Sequence, residues 1–295
     1  MYIVPRDAWF LITVHSFFLY NYPMTDYLSN KALWQKYTEI HSQTDYYGLK
    51  EFLAGQNKLH SLERSEVGPV DGKSLLHLQC HFGLDTLSWA RLGASVTGMD
   101  FSDPAIELAA AIAKEVNLPA RFICSDIYDL PNRLREQFDV VFTSYGILTW
   151  LPDIPRWAQI AASYVKPGGF LYLVEFHPFA QIFDEAAPGY TIKYPYFEKN
   201  AIVSTSDASY ADAETKFEPI TVYEWNHPIS EVISSLIQAG LHIEFVHEFA
   251  ESVYQQLPNL IETTVDGEQF YVFPEEVPPF PLMYSIRASK PAGQL

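Results

Sequence analysis

Cysteine is nearly absent from this chain: Cys80 and Cys124 are the only two in 295 residues. Two thiols cannot build a disulfide framework, and both stand at the ends of apolar stretches that read as buried strands, so a reducing cytoplasm is the expected setting. Basic residues are scarce as well. The 19 Lys and Arg face 36 Asp and Glu, a formal charge of -17, and no Lys/Arg cluster interrupts the excess, so the average field repels phosphate backbones and anionic lipid surfaces. Nucleic acid and membrane are therefore not expected as partners. No apolar run is long enough to span a bilayer: "FLITVHSFFLY" from Phe10 to Tyr20 falls well short of about 20 residues. Asp7 also offsets Arg6 where an export signal would carry net positive charge. No tight His/Cys/Asp spacing marks a metal site, so none is expected.

What the chain does have is apolar and aromatic bulk, 48% and 15% of its residues, enough for one large or two modest cores. Residues 1–23 read either as an upstream extension or as an extra strand. At Met24 a cleaner pattern begins: Asp26 or Ser29 can cap a helix that carries Leu33, Trp34 and Tyr37 on one side. Helical character continues through "DYYGLKEFLAG", and "NKLHSLERSEVGPVDGK" reads as a short helix followed by a turn. Residues 24–70 thus form a helical cap, and the main domain occupies 71–295.

From Ser74 the pattern alternates strand and helix. "SLLHL", "SVTGMD", "ARFICSD", "FDVVFTSYG" and "GGFLYLVEF" are strands, and "LDTLSWARLG", "PAIELAAAIAKEVN" and "IPRWAQIAASYV" are the helices between them. Ser102 or Asp103 caps the second helix, with Pro104 acceptable in its first turn. Strands apolar on both sides with crossover helices imply a parallel sheet covered on both faces, a doubly wound α/β domain. Beyond it, "SEVISSLIQAG" is a helix opened by Ser230 and stopped by Gly240, and "LHIEFVHEF" a sixth strand. "PLMYSIRASK" reads as a seventh, antiparallel strand at the edge. Insertions of about 178–225 and about 251–280 interrupt this frame, the second turning a small hairpin at Asp266-Gly267.

Ligands of such sheets sit beyond the carboxyl ends of the strands. Polar residues recur there: His77 to Gly83, Asp100, Asp126, Ser144 with Tyr145, and Glu175 with His177. Asp100 ends the second strand 17 positions after Gly83, where a carboxylate can accept from both hydroxyls of a ribose or cap the following helix. Asp126, followed by Ile127, can accept from an exocyclic adenine amine while the isoleucine covers the ring.

These motifs resemble the class I, S-adenosylmethionine-dependent methyltransferases of small-molecule type. The resemblance runs from about Lys73 to Phe176 and resumes weakly over "WNHPISEVISSLIQAGLHIEFVHEF", about half the chain. It rests on "VTGMDFS", "CSDIYDLP", "FDVVFTSYGILTWLPD" and "YVKPGGFLYLVEF", in the family's order and spacing. It implies a mostly parallel seven-stranded Rossmann-like sheet with a helical cap and an inserted lid after strand five, and S-adenosylmethionine as cofactor. The implied cofactor residues are His77, Gln79, Cys80, His81, Gly83, Asp100, Phe101, Asp126, Ile127 and Ser144. The first-strand loop departs from the family, whose pattern there is an acid followed by Gly-x-Gly-x-Gly. His77 replaces the acid, Gln79 and His81 replace two glycines, and Gly83 alone remains. Where φ need not be positive, such a loop can turn its side chains away and still offer backbone N–H groups, and Gln79 and His81 can add hydrogen bonds toward the cofactor's amino-acid end. A dinucleotide dehydrogenase, the nearest rival on this fold, needs those glycines for its bulkier pyrophosphate. A noncatalytic scaffold that binds another protein through its acidic surface is the second reading.

The expected acceptor is a small molecule, apolar or aromatic, since the inserted segment is rich in Tyr and Phe and the cap offers Trp34, Tyr37, Tyr46 and Tyr47. Glu175 is a further candidate for substrate contact. Methyl transfer from a sulfonium is a direct displacement, which asks for alignment and, for a hydroxyl or ammonium, removal of a proton. His177 is the first candidate for that base, Tyr145 and His81 the next. The protein is expected to act as a monomer or dimer.

Overall fold

The protein is described by a computed structural model covering residues 24–184, 186–187 and 189–293. The two readings of 1–23 lie outside the described residues. The cap opens with α1 (Met24–His41). The helical character expected through "DYYGLKEFLAG" breaks after His41: a turn and the left-handed Gly48 (φ 63°) intervene before the short α2 (Leu49–Leu53), and α3 (Ser61–Val67) follows.

The main domain then alternates β1 (Ser74–Leu78), α4 (Leu84–Arg91), β2 (Ser95–Asp100), α5 (Asp103–Glu115), β3 (Ala120–Cys124), α6 (Leu130–Arg133), β4 (Phe138–Thr143), α7 (Ile154–Tyr164) and β5 (Val165–Phe176). An antiparallel hairpin, β6 (Ile202–Ser209) with β7 (Asp212–Glu224), lies in the first insertion. After it come α8 (Ile229–Gln238), β8 (His242–Phe249), a second hairpin of β9 (Ile261–Val265) and β10 (Glu268–Val272), and finally β11 (Met283–Ser289). Asp266 and Gly267, at φ 50° and 82°, make the two-residue turn of that second hairpin, as the Asp-Gly pair predicts.

The seven-stranded sheet has the order β3-β2-β1-β4-β5-β11-β8. Its first five strands are mutually parallel, and β11 runs antiparallel to both β5 and β8. This corrects the expected edge position of the last strand. The crossover through α8 carries β8 two places beyond β5, and β11 returns into the gap, so β8 is the edge. Both faces are covered, as the unbroken apolar strands require. On one, Leu171, Leu173 and Ile286 pack with Trp157 and Leu236; on the other, Leu75, Phe142, Tyr172 and Val174 pack with Trp89 and Val67.

The first hairpin folds back onto α1, where Leu33 and Tyr37 bury against Val222. Asn30 pairs with Tyr223 as a strand residue would: its Nδ2 donates to Tyr223 O at 2.7 Å and its Oδ1 accepts Tyr223 N–H at 3.0 Å. Ser29 Oγ also donates to Thr221 O, so Ser29 serves the helix–hairpin contact and the helix begins at Met24. Cap and insertion thus form one roof over the carboxyl ends of β1, β2 and β4.

Candidate functional site

The loop from β1 to α4 turns through Gln79, His81 and Gly83, at φ 55°, 50° and 78°. All three positions where the family pattern has glycine keep left-handed backbone, although two of them now carry side chains. The side chains at Gln79 and His81 are therefore carried on backbone that keeps positive φ. A non-glycine residue in this region costs about 1–2 kcal/mol, so the loop stores strain. Gly83 itself is required twice over, by its φ and by the 2.8 Å that an added Cβ would leave to the Phe122 ring.

Asp100, 6% exposed, anchors this loop: Oδ2 accepts the N–H of His81 at 2.8 Å and Oδ1 that of Ser102 at 2.9 Å. Burial lifts its pKa to about 6, against the pull of these backbone N–H groups. The same carboxylate therefore builds the loop and marks the end of β2. His77 is turned inward, with Nδ1 2.8 Å from Thr86 Oγ1 and Nε2 3.4 Å from Ser144 Oγ. Burial depresses it to about 3, so a neutral imidazole joins β1, α4 and β4 where the family has an acid. Cys80 is buried beneath the loop. Gln79 leaves an orphan: its Oε1 is buried and has no hydrogen-bond partner among the described residues.

Beside this loop a cleft of about 280 Å³ opens between α1 and the ends of β2 and β3. Phe101, Ser125 and Asp126 line it, with Tyr27 and Lys31 from the cap. Tyr27 sets its ring 5.9 Å from that of Phe101, and Lys31 pairs with Asp103 at 2.8 Å. Asp126 Oδ1 accepts the N–H of Tyr128 at 2.6 Å, and Ile127 is buried behind it. A flat apolar ring with polar edges fits this space.

The roof brings Trp34, Tyr37, Tyr47, Tyr210 and His41 together over His81. Tyr46 joins them through Tyr47 and Tyr210. Tyr145 packs on Phe176 and His60, and its hydroxyl lies beside the buried Glu63. Burial raises Glu63 to about 8 and Asp85 to about 6.

Two further candidates, Glu175 and His177, turn their polar atoms to neighbouring segments. Glu175 gives both oxygens to backbone, accepting from Gly146, Ile147, Leu148 and Phe176, and so it shapes the segment after β4. His177 accepts the N–H of Phe179 on Nδ1 at 3.1 Å, and its Nε2 lies 3.0 Å from Glu248 Oε1, off the line of a good hydrogen bond. With Tyr284 against its ring, it faces the β11–β8 side of the sheet. His41, Ser209, Tyr27, Asp85 and Glu63 were missed by sequence reasoning. They approach the site from α1, β6, α4 and α3, and no local motif signals them.

The middle of the chain, residues 75–169, matches a methyltransferase domain family. A ubiquinone biosynthesis O-methyltransferase of Shewanella pealeana is 33% identical over 106 residues, 36% of this chain and 44% of that protein; the chain thus spans less than half of that curated relative's length. Among solved structures, an S-adenosylmethionine-dependent methyltransferase from Clostridium acetobutylicum superposes with a TM-score of 0.53 at 13% identity, covering 90% of this chain and 99% of the other. The glycopeptide N-methyltransferase MtfA complexed with S-adenosylmethionine gives 0.50 at 16% identity, over 78% of this chain and 86% of the other. These likenesses extend the shared fold beyond the matched segment.

Proposed function

We propose, from the premise that the chain belongs to the class I S-adenosylmethionine-dependent methyltransferases, that it transfers the cofactor's methyl group to a small-molecule acceptor. The observation that carries this reading is the β1 loop. It holds the three left-handed turning positions of the family while Asp100 anchors it, and it leaves Gln79 Oε1 as a buried acceptor in need of a donor. An ammonium such as that of the cofactor's methionine end satisfies that atom. Phe101, Asp126 and Ile127 suit the adenine, and Asp100 the ribose hydroxyls. The bound sulfonium would supply an electrophilic methyl group, and the chain's own contribution is alignment under the aromatic roof.

The rings of Trp34, Tyr37, Tyr46 and Tyr47 favour an apolar or aromatic acceptor. A reducing cytoplasm suits the free Cys80 and Cys124, and among the described residues no helix is long and apolar enough to cross a membrane. The test is calorimetric titration with S-adenosylmethionine and S-adenosylhomocysteine. Asp100→Ala is expected to weaken both by roughly tenfold to a hundredfold, the scale of hydrogen bonds to a charged group. No binding by the wild type at millimolar concentration, or an Asp100→Ala protein that stays folded and binds unchanged, sinks the reading.

A further inference from the structure

Ser209 ends β6 with its side chain buried. Its Oγ accepts the N–H of Ala211 at 3.1 Å and lies 2.7 Å from Nε2 of the buried His41. His41 in turn places Nδ1 3.0 Å from Nε2 of His81. Three elements far apart in sequence, β6, α1 and the β1 loop, thus contribute to one line of hydrogen bonds.

Such a line runs in one of two directions, and hydrogen-bond accounting selects between them. If His81 donated to His41, His41 would donate to Ser209, whose oxygen would then accept twice. The Ser209 proton would be left buried with no acceptor among the described residues, an arrangement that folded proteins avoid. In the other direction Ser209 donates to His41 Nε2 and His41 Nδ1–H donates to His81 Nε2. Ser209 then accepts once and donates once, and each imidazole is a single neutral tautomer. Burial supports the neutral state, holding His41 down to about 3 and His81 well below the usual histidine range, the latter aided by His41 itself.

We propose that Ser209 and His41 form a one-way hydrogen-bond chain that fixes His81 as a neutral Nδ1–H donor, and that this donor takes the carboxylate at the amino-acid end of the cofactor. The inference rests on the cofactor reading above and assigns part of it. Four rings, those of Trp34, His41, Tyr47 and Phe82, hold the His81 ring at centroid distances of 5.4, 5.2, 5.3 and 4.4 Å. Its own N–H is tied to Asp100, which puts it next to the ribose end. Of the cofactor's remaining groups, the sulfonium and ammonium repel an N–H donor and the carboxylate attracts one. On the same loop Gln79 offers the orphan acceptor that the ammonium wants, so two side chains of opposite hydrogen-bonding character match a zwitterion. Because its Nε2 lone pair is occupied and its Nδ1 is protonated, His81 has no lone pair left to act as a base. His41 and Ser209 are positioning residues.

The test uses the full chain with ¹⁵N-labelled imidazoles and reads tautomers by two-bond ¹H–¹⁵N correlation. His81 is expected as the Nδ1–H form in the wild type and as a tautomer mixture in Ser209→Ala, with Ser209→Thr restoring the wild-type pattern. Calorimetry then compares S-adenosylmethionine, its decarboxylated analogue and 5′-methylthioadenosine. Ser209→Ala and His41→Phe are expected to weaken the first about tenfold, the loss of one charge-assisted bond, and to leave the two probes without a carboxylate within about twofold. An Nε2–H tautomer at His81 overturns the proposal, as does an equal loss for all three probes in Ser209→Ala. Wild-type protein that binds none of the three overturns the cofactor reading and the proposal with it, whereas normal wild-type binding with the wrong tautomer removes the proposal alone.

Discussion

Glu268 caps a helix that begins 207 residues before it: both of its carboxylate oxygens lie 2.9 Å from the backbone N of Ser61, the first residue of α3. Ser61 Oγ and Arg64 add bonds to the same carboxylate. The residue in the cap position, His60, makes no side-chain cap of its own, so the second hairpin supplies what the local sequence lacks. Burial works against the charge, but the Ser61 N–H and hydroxyl hold Glu268 below the usual carboxylate range. A depressed carboxylate stabilises the fold above its ordinary pKa and loses that contribution as pH falls through the folded value. Glu268→Ala is expected to cost about 1 kcal/mol at neutral pH, as for other lost helix caps, with faster amide exchange in α3. Chemical denaturation at pH 7 and pH 3 checks both points: a difference between variant and wild type that does not shrink at the lower pH counts against the cap.

The strained loop makes a second prediction. Gln79→Gly frees a left-handed position of a side chain that is strained there, so the variant is expected to melt higher by an amount equivalent to about 1 kcal/mol. It also removes the orphan acceptor, so affinity for S-adenosylmethionine should fall several-fold. A stability gain coupled to a binding loss is the trade expected where function retains strain. If Gln79→Gly binds as tightly as wild type, the side chain has no part in the grip.

Glu63 is buried, 1% exposed, and burial with the nearby charge of Asp85 raises it to about 8. A folded-state pKa above the unfolded one means that the folded protein holds the proton longer. The favourable contribution is complete below about pH 4.5 and is lost as pH rises toward 8. Glu63→Gln keeps the neutral shape without this penalty. It is expected to raise stability at pH 8 by on the order of 3 kcal/mol and to change little at pH 4. Parallel pH–stability curves for the two proteins would show that Glu63 is ionised in the fold.

His177→Ala separates structure from chemistry after β5. Because one ring nitrogen holds Phe179 and the other faces Glu248, the expected result is a loss of about 1–2 kcal/mol of stability. Cofactor affinity should be unchanged and kcat on an identified acceptor should stay within about tenfold. A drop in kcat of roughly 10²–10⁴ with the acid limb of the pH profile removed would make His177 the general base after all.

The sheet was legible because each strand carries its own evidence: "SLLHL" and "FDVVFT" are apolar on both faces, and a parallel strand buried on both sides has no other pattern available. Strand order was less so. Nothing in "MYSIRAS" says whether it lies at the edge or inside, since β11 is placed by where β8 has gone. The loop after β1 was readable only by its likeness to a family. Gln79 and His81 have no local signature of positive φ, which the surrounding packing imposes. His41 and Ser209 were beyond reach for a simpler reason: 168 residues separate them, and each alone is an ordinary polar side chain. For Glu175 and His177, which way a side chain turns at a strand end depends on the neighbouring segments, here the loop after β4 and the β8 edge.

The double hydrogen bond between Asn30 and Tyr223 has a consequence for how the protein is made. The cap helix leaves the ribosome 193 residues before the strand that completes its contacts, an interval of roughly 10–40 s at 5–20 residues per second. During that time Leu33, Tyr37 and the side-chain amide of Asn30 have no counterpart to pack against or pair with. The β1–β5 segment can condense meanwhile from nearer contacts, but the roof closes only after β7 has been synthesised, through contacts of long sequence separation that fold late and slowly. Nascent chains halted before residue 223 should therefore expose the face of α1 to chaperones and proteases, while those in which β7 has cleared the ribosome should not.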